Sequence, residues 1–336
     1  MSRSVFGIDF GTSTIKIYNG LTKTVITEKD IIAIKNKTQL FEFGDEALKM
    51  YEKTPPNINI IFPIKYGVIA DLKNMKLLFE SFYKKITKAS GSKMGRFCIA
   101  VPTDITEVEK RAFYDVVAKS DIKAREIKIV EKPIADAVGL QIDMNSQKGN
   151  LIVNIGADTT EISVISMGGI VVSRIIKLGG NNIDQMICDV VKRRYNIYIG
   201  LRTAEKIKIS VGTVDRRAKE RTIEVRGRDA SSGLPKMVAV NSLEIQRALE
   251  AQVMNILEGI KSILEKTPPE LVAAINDHGI ILTGGGALID GLDRVITRSV
   301  GIASYLVESP RYAVIKGVAK ALDEMSQLRD TLDELQ

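Results

Sequence analysis

Apolar positions along the chain switch between two periods, and the switches mark its elements. Val5-Phe6-Gly7-Ile8-Asp9-Phe10 is a nearly continuous apolar run closed by Gly11, and apolar residues return in Thr14-Ile15-Lys16-Ile17. Together they predict two strands around a tight turn of Gly11, Thr12 and Ser13. Short strands are expected at Ile31–Ile34 and Leu40–Gly44, then a helix from Asp45 to about Tyr51, broken by Thr54-Pro55-Pro56-Asn57. Leu72, Met75, Leu78, Phe79, Phe82 and Ile86 keep helical spacing. Phe97–Val101 reads as a buried strand ended by Pro102, and Thr106 with Glu109 as a capping box that opens a helix to about Lys119. Ile127–Val130 is a further strand, and Pro133 suits the first turn of the next helix.

The second half repeats this order. Leu151-Ile152-Val153-Asn154-Ile155-Gly156-Ala157-Asp158-Thr159-Thr160-Glu161-Ile162 copies the opening hairpin, with Asn154 lying 145 positions after Asp9. Strands are expected at Leu151–Asn154, Ile162–Ser166 and Val171–Lys177, and a helix from Asn182 to about Tyr195. Residues 211–240 are polar with short strand patterns. Asn241 caps a long helix with apolar Leu249, Val253, Ile256, Ile260 and Ile263, ended by Thr267-Pro268-Pro269. The strand Ile280–Leu282 runs into Thr283-Gly284-Gly285-Gly286, and a last helix begins near Pro310. The expected organisation is two duplicated α/β domains: residues 1–145 with a small inserted lobe at about 31–65, and 146–336 with one at about 181–240.

With 336 residues, 45% of them apolar and 26% charged, the chain has the composition of an ordinary globular protein. The two cysteines, Cys98 and Cys188, have no partner at metal-ligand spacing, and the single histidine, His278, leaves no His-based relay. They suit a reduced, cytoplasmic setting. Neither a signal peptide nor an apolar run near the ~20 residues of a bilayer span is visible. The net charge of +7 favours solubility and a weak attraction to anionic surfaces. The absence of Trp argues against stacking platforms for nucleic acid.

Candidate chemistry lies in the turns. Glycines let a backbone approach an anion closely, and turn N–H groups with hydroxyls can ring a phosphate. Two such hairpins facing each other across a cleft would hold one nucleoside triphosphate. Five ordered motifs carry a resemblance: Asp9-Phe10-Gly11-Thr12-Ser13-Thr14, Glu131-Lys132-Pro133, Asn154–Glu161, Arg202-Thr203-Ala204-Glu205-Lys206-Ile207-Lys208, and Leu282-Thr283-Gly284-Gly285-Gly286-Ala287. With them the chain resembles the actin, Hsp70 and sugar-kinase superfamily, and within it the bacterial actin MreB over nearly its whole length. It looks like a divergent paralogue of the kind found in wall-less helical bacteria such as Spiroplasma. The resemblance implies an actin-like ATPase fold of two RNase H-like domains with the nucleotide in a central cleft. It also implies ATP or ADP with Mg2+ as cofactors.

By that resemblance Asp9 faces the metal through water. Thr12, Ser13, Thr14 and, from the second hairpin, Gly156, Ala157, Asp158 and Thr159 line the phosphates. Glu205, Lys206 and Lys208 contact ribose and adenine, and Gly284, Gly285, Gly286 and Ala287 lie against the adenosine. Lys16 shares a strand face with Thr14 and is placed either at a phosphate or as a solvated strand residue. Three positions bear on catalysis: Lys132, Asn154 and Thr159. The family carries Glu where Lys132 stands, to polarise the attacking water, and a protonated lysine cannot accept a proton. It carries Asp where Asn154 stands and glycines at Ala157 and Asp158. A charge exchange of Lys132 with Asp158 or with the terminal phosphate is expected.

The function this implies is a filament-forming, ATP-binding cytoskeletal protein that supports cell shape, helicity or motility, with weak hydrolysis. A small-molecule kinase of the same superfamily is the alternative, but no carboxylate base for an acceptor hydroxyl is apparent. An Hsp70-type chaperone would need a peptide-binding domain. Implied partners are further copies of the chain, other MreB paralogues and cytoskeletal proteins. Val108, on the helix opened by Thr106, matches a family filament-interface position. With a first strand at Val5, no amphipathic N-terminal helix is expected. The loop Ala89–Arg96 offers only Met94 between Lys93 and Arg96, so contact with the inner face of the membrane is expected to be peripheral, weak and charge-dependent.

Overall fold

The computed structural model describes residues 4–87 and 94–334. The chain forms two compact units, Met1–Ser146 with Tyr312–Gln336, and Gln147–Arg311.

The first unit is built on a five-stranded sheet in the order Lys123–Glu131, Met94–Val101, Val5–Phe10, Thr14–Asn19, Thr24–Lys29. The strands Val5–Phe10, Thr14–Asn19 and Thr24–Lys29 run antiparallel through short turns. The other two join in parallel. Parallel neighbours need a crossover, and the helix Glu107–Ala118 supplies it between them. Its capping box forms: Glu109 N–H donates to Thr106 Oγ1 at 3.2 Å, and Thr106 N–H to Glu109 Oε2 at 2.8 Å.

The second unit repeats this arrangement strand for strand. Its sheet runs Gly169–Ile176, Thr160–Ser166, Asn150–Ile155, Ile280–Thr283, Ser304–Leu306, with the first three antiparallel and the last two added in parallel. The crossover there is the helix Leu292–Val300. Each unit also carries a three-stranded sheet: Gln39–Phe43, Ile32–Lys35 and Ile58–Ile61 in the first, Ile197–Tyr198, Thr222–Asp229 and Pro235–Asn241 in the second.

Period-two alternation in Val5–Phe10 sends Phe6, Ile8 and Phe10 into a core with Phe79, Phe82 and Phe113. The opposite face presents Gly7 and Asp9, and it is covered by the terminal helix Ala313–Glu334. A Cβ on Gly7 would stand 2.6 Å from Val318 Cγ1. Val314, Ile315, Val318 and Leu322 pack there on Tyr18, Cys98, Ala100 and Ala135.

That packing corrects one expectation. The second domain was expected to run from 146 to 336, yet the terminal helix belongs to the first unit. Its apolar stripe finds its matching face on the first sheet, a pairing between distant segments that sequence order does not disclose.

Where this helix crosses Lys132–Gly139, the two backbones nearly touch. A Cβ on Gly317 would lie 1.7 Å from the Ala135 carbonyl oxygen, and one on Gly139 would lie 2.2 Å from that of Ala313. Overpacking usually costs ~1–3 kcal/mol, and here the obstacle is backbone, which yields least. Gly317→Val is expected to reach at least the top of that range in chemical denaturation. A variant as stable as the parent would show that the two helices do not meet at this point.

Candidate functional site

The first turn closes through Gly11 N–H to the Thr14 carbonyl at 3.2 Å, and the second through Gly156 N–H to the Thr159 carbonyl at 2.8 Å. The duplication therefore extends to the hydrogen bond that shapes each turn. Thr12, Ser13 and Thr14 stand half-buried on the first turn, and Gly156, Ala157, Asp158 and Thr159 on the second.

Asp9 sits at the end of its strand, and the hairpin register sets Lys16 directly across from it. Lys16 Nζ donates to Asp9 Oδ2 at 3.0 Å with both side chains buried. Lys16 is therefore a buried counter-charge to Asp9 and not a solvated strand residue. Lys132 is the first residue of the helix Lys132–Gly139. Its ammonium lies 3.1 Å from Asp9 Oδ1 and donates to the Phe10 carbonyl at 3.1 Å. The contact with Oδ1 is an ion pair without a directed hydrogen bond. Burial alone would push the Asp9 carboxyl up; the ammoniums of Lys132 and Lys16 outweigh it and hold it at about 2. Asp9 was not foreseen as a partner for Lys132.

In the second unit the turn is stitched to the start of the helix Gly180–Tyr195. Gly180 N–H donates to the Gly156 carbonyl at 3.0 Å and Asn181 N–H to that of Ala157 at 2.7 Å. Asn181 Nδ2 donates to Asp158 Oδ1 at 2.7 Å. Lys208 crosses from the helix Leu201–Val211 to donate to the Gly180 carbonyl at 3.0 Å and to Asp184 Oδ2 at 2.8 Å. Its ammonium thus braces the residue that holds the turn. Sequence reasoning missed Asn181 and Asp184. Their signal was Gly179-Gly180 immediately before a helix with two polar side chains in its first turns.

Glu205 is half-buried on the helix that carries Lys208, and Lys206 points to solvent. The glycines at 284 and 286 also answer to packing within their own unit. Gly284 has φ +81°, and a Cβ there would meet the Ile155 carbonyl oxygen at 2.3 Å. A Cβ on Gly286 would meet Ile155 Cγ2 at 2.3 Å. Both are required by the neighbouring strand of their own unit, whereas at Gly285 a Cβ finds only ordinary contact with Arg311, at 3.5 Å or more. Ala287 is a core residue. Asn154, at the end of the strand Asn150–Ile155, faces Glu161 across the hairpin and Thr283 on the other side.

Val108 is 80% exposed, so ordinary helix packing does not account for it. Lys93 lies outside the described residues, as does the side chain of Met94. The strand Met94–Val101 begins earlier than expected and takes in Arg96, whose guanidinium lies 3.9 Å from Glu126. Arg96 is therefore a sheet residue rather than a loop residue.

The implied magnesium contact fails a test of charge. Asp9 is the carboxylate that would face the ion, and two ammoniums already oppose it within 3.1 Å. The residues present do not fit a magnesium ion held through Asp9.

Burial raises the Asp184 carboxyl to about 6 against the opposing pull of Lys208. A carboxyl raised above its unfolded value costs stability when ionised, so the cost is full above about pH 6 and is relieved as pH falls towards 4. The effect is on the order of 1–3 kcal/mol. Asp184→Asn is expected to flatten this part of the stability–pH profile; an unchanged slope in denaturation between pH 7.5 and 5 would refute the assignment.

Comparison with known proteins places this geometry. Residues 3–330 match the family described as MreB/Mbl protein. The cell shape-determining protein Mbl of Bacillus subtilis is 40% identical over 323 residues, 96% of each chain. The cell shape-determining protein MreB of Escherichia coli is 36% identical over 322 residues, 94% of this chain and 92% of that one. The crystal structure of MreB 5 of Spiroplasma citri bound to AMPPNP superposes with a TM-score of 0.91 at 31% identity and covers 100% of both chains. The MamK double helical filament structure, at 20% identity and a TM-score of 0.79 over 96% of this chain and 99% of that one, shares the fold. The duplicated sheets, the paired turns and these matches agree: the chain belongs to the MreB/Mbl family and has its actin-like fold.

Proposed function

We propose that this chain binds ATP or ADP and polymerises into cytoskeletal filaments that support cell shape, with hydrolysis that is slow at best. The observation that carries the reading is the pair of duplicated turns, each closed by the same hydrogen bond at the end of a buried strand. Such turns suit phosphate oxygens. Structures of MreB 5 of Spiroplasma citri bound to AMPPNP and to ADP support the ligand class. In the first unit, phosphate contacts are assigned to Thr12, Ser13 and Thr14; in the second unit, taken by itself, phosphate contacts are assigned to Gly156–Thr159 and nucleoside contacts to Glu205 and Gly285. Lys208 is a positioning residue.

Slow hydrolysis follows from Lys132. Its ammonium cannot accept a proton from water, and its ties to Asp9 and the Phe10 carbonyl hold it in place. Losing a positioned general base typically costs ~10²–10⁴-fold in rate. Asn154 removes a second carboxylate. A small-molecule kinase is disfavoured on the same ground, since transfer to a hydroxyl also calls for a base.

The chain is assigned to the cytoplasm, with at most a weak, salt-sensitive contact at an anionic membrane surface. Among the described residues no helix is long and apolar enough to cross a membrane. Other paralogues of the family are candidate co-assembly partners.

Sedimentation with ATP, read together with phosphate release, tests the proposal. Concentration-dependent pelleting is expected, with phosphate release ~10²-fold or more below that of Bacillus subtilis Mbl under the same conditions. Hydrolysis at the rate of Mbl would refute the role given to Lys132. Val108→Glu places a charge on an exposed apolar side chain, which costs contact energy if that side chain is buried between copies. Paired filaments are expected to be lost in electron micrographs of this variant, and unchanged doublets would move the interface elsewhere.

A further inference from the structure

We infer that Lys132 and Lys16 take the place of a divalent cation beside the first turn, so that nucleotide binding by this chain does not depend on magnesium. The inference rests on the nucleotide-binding reading above. It starts from the charge count at Asp9. One carboxylate meets two ammoniums, at 3.0 and 3.1 Å, and the cluster carries one net positive charge. The side chains of Asp9, Lys16 and Lys132 are only 7%, 9% and 14% exposed. A buried net charge is costly unless something opposes it. Asp9 already faces both ammoniums, so an anion supplied by a ligand would meet an excess of positive charge in this trio.

The position of the charge points to that anion. Lys132 donates to the Phe10 carbonyl, and Phe10 is the residue before the turn Gly11–Thr14. The ammonium therefore stands at the foot of the loop whose N–H groups and hydroxyls suit phosphate. In the absence of these lysines, Asp9 would attract a hydrated divalent ion, which in turn would neutralise phosphate oxygens. With them, the positive charge belongs to the chain, and a divalent ion is repelled rather than drawn in. Lys132 also sits at the N-terminal end of its helix, where a cation is unfavourable unless paired. Its retention there by Asp9 and by a carbonyl fixes the charge in place. A lysine binds phosphate well as a point charge. The two changes, an added ammonium and a sequestered carboxylate, act in the same direction.

The test is calorimetric titration of the full chain with ATP in magnesium and in EDTA. Affinities within about threefold of each other are expected for the parent. Lys132→Glu restores a carboxylate and removes the competing ammonium. It is expected to bind at least about tenfold more weakly in EDTA than in magnesium. Lys132→Met, uncharged and of similar reach, is the second variant, and its affinity in EDTA is expected to fall below the parent's. A tenfold or greater loss for the parent in EDTA, or variants that respond to EDTA as little as the parent does, would overturn the inference. Absence of binding by the parent in both buffers would overturn the nucleotide reading itself and this inference with it.

Discussion

The register of the opening hairpin constrains the first unit more than any other interaction. Pairing Phe10 with Ile15 and Ile8 with Ile17 fixes Asp9 opposite Lys16, and a one-residue slip would turn every side chain to the other face. Burial makes this pairing obligatory. Removing one partner of a buried ion pair typically costs ~3–5 kcal/mol, because the remaining charge stays in a poorly solvated place. The register also prepares the site for a third group. Asp9 and Val130 both align with Ala100 on the strand between them. Ala100 contributes only a methyl, so the side chain of Lys132 can pass over that strand to reach Asp9.

The second unit shows the same scaffold with different charges. Where the first hairpin sets Asp9 against Lys16, the second sets Asn154 against Glu161. The turn hydrogen bond is kept, and so are the strand order and the parallel additions. What has diverged is the polarity at the strand ends. The first hairpin is supported by ammoniums within its unit, and the second by the start of a helix, through Gly180, Asn181 and Lys208. Equivalent positions of a duplicated fold thus meet the same demand, a rigid turn, by unlike means.

Features set by near neighbours were legible in the sequence. The hairpins, the Thr106–Glu109 capping box and the Asn241 cap, whose Oδ1 accepts from Leu243 N–H at 2.8 Å, depend on residues a few positions apart. The strand Met94–Val101 was expected to start only at Phe97, because Gly95 and Arg96 break its apolar run, and the short helices Pro269–His278 and Leu292–Val300 were not foreseen. At the site the residues were legible and their partners were not. Lys132 was singled out, but its bond to Phe10 spans 122 positions, and no local pattern encodes it. Gly284 and Gly286 were read as making room for a ligand, and the close approach of Ile155, from a strand far earlier in the chain, was not visible in the sequence. Ala287 looked like part of the same motif yet belongs to the core.

The terminal helix has a consequence for the order in which the chain can fold. Residues 147–311 form a unit from one continuous stretch, whereas the first unit needs Tyr312 and beyond to cover Gly7, Tyr18 and Ala135. During synthesis the amino-terminal sheet is made first and completed last. Until the helix emerges, the sheet face with Gly7, Tyr18 and Ala100 stays open to water. The second unit, translated later, is free to reach its native state earlier, which reverses the usual progression from the amino-terminal domain onwards.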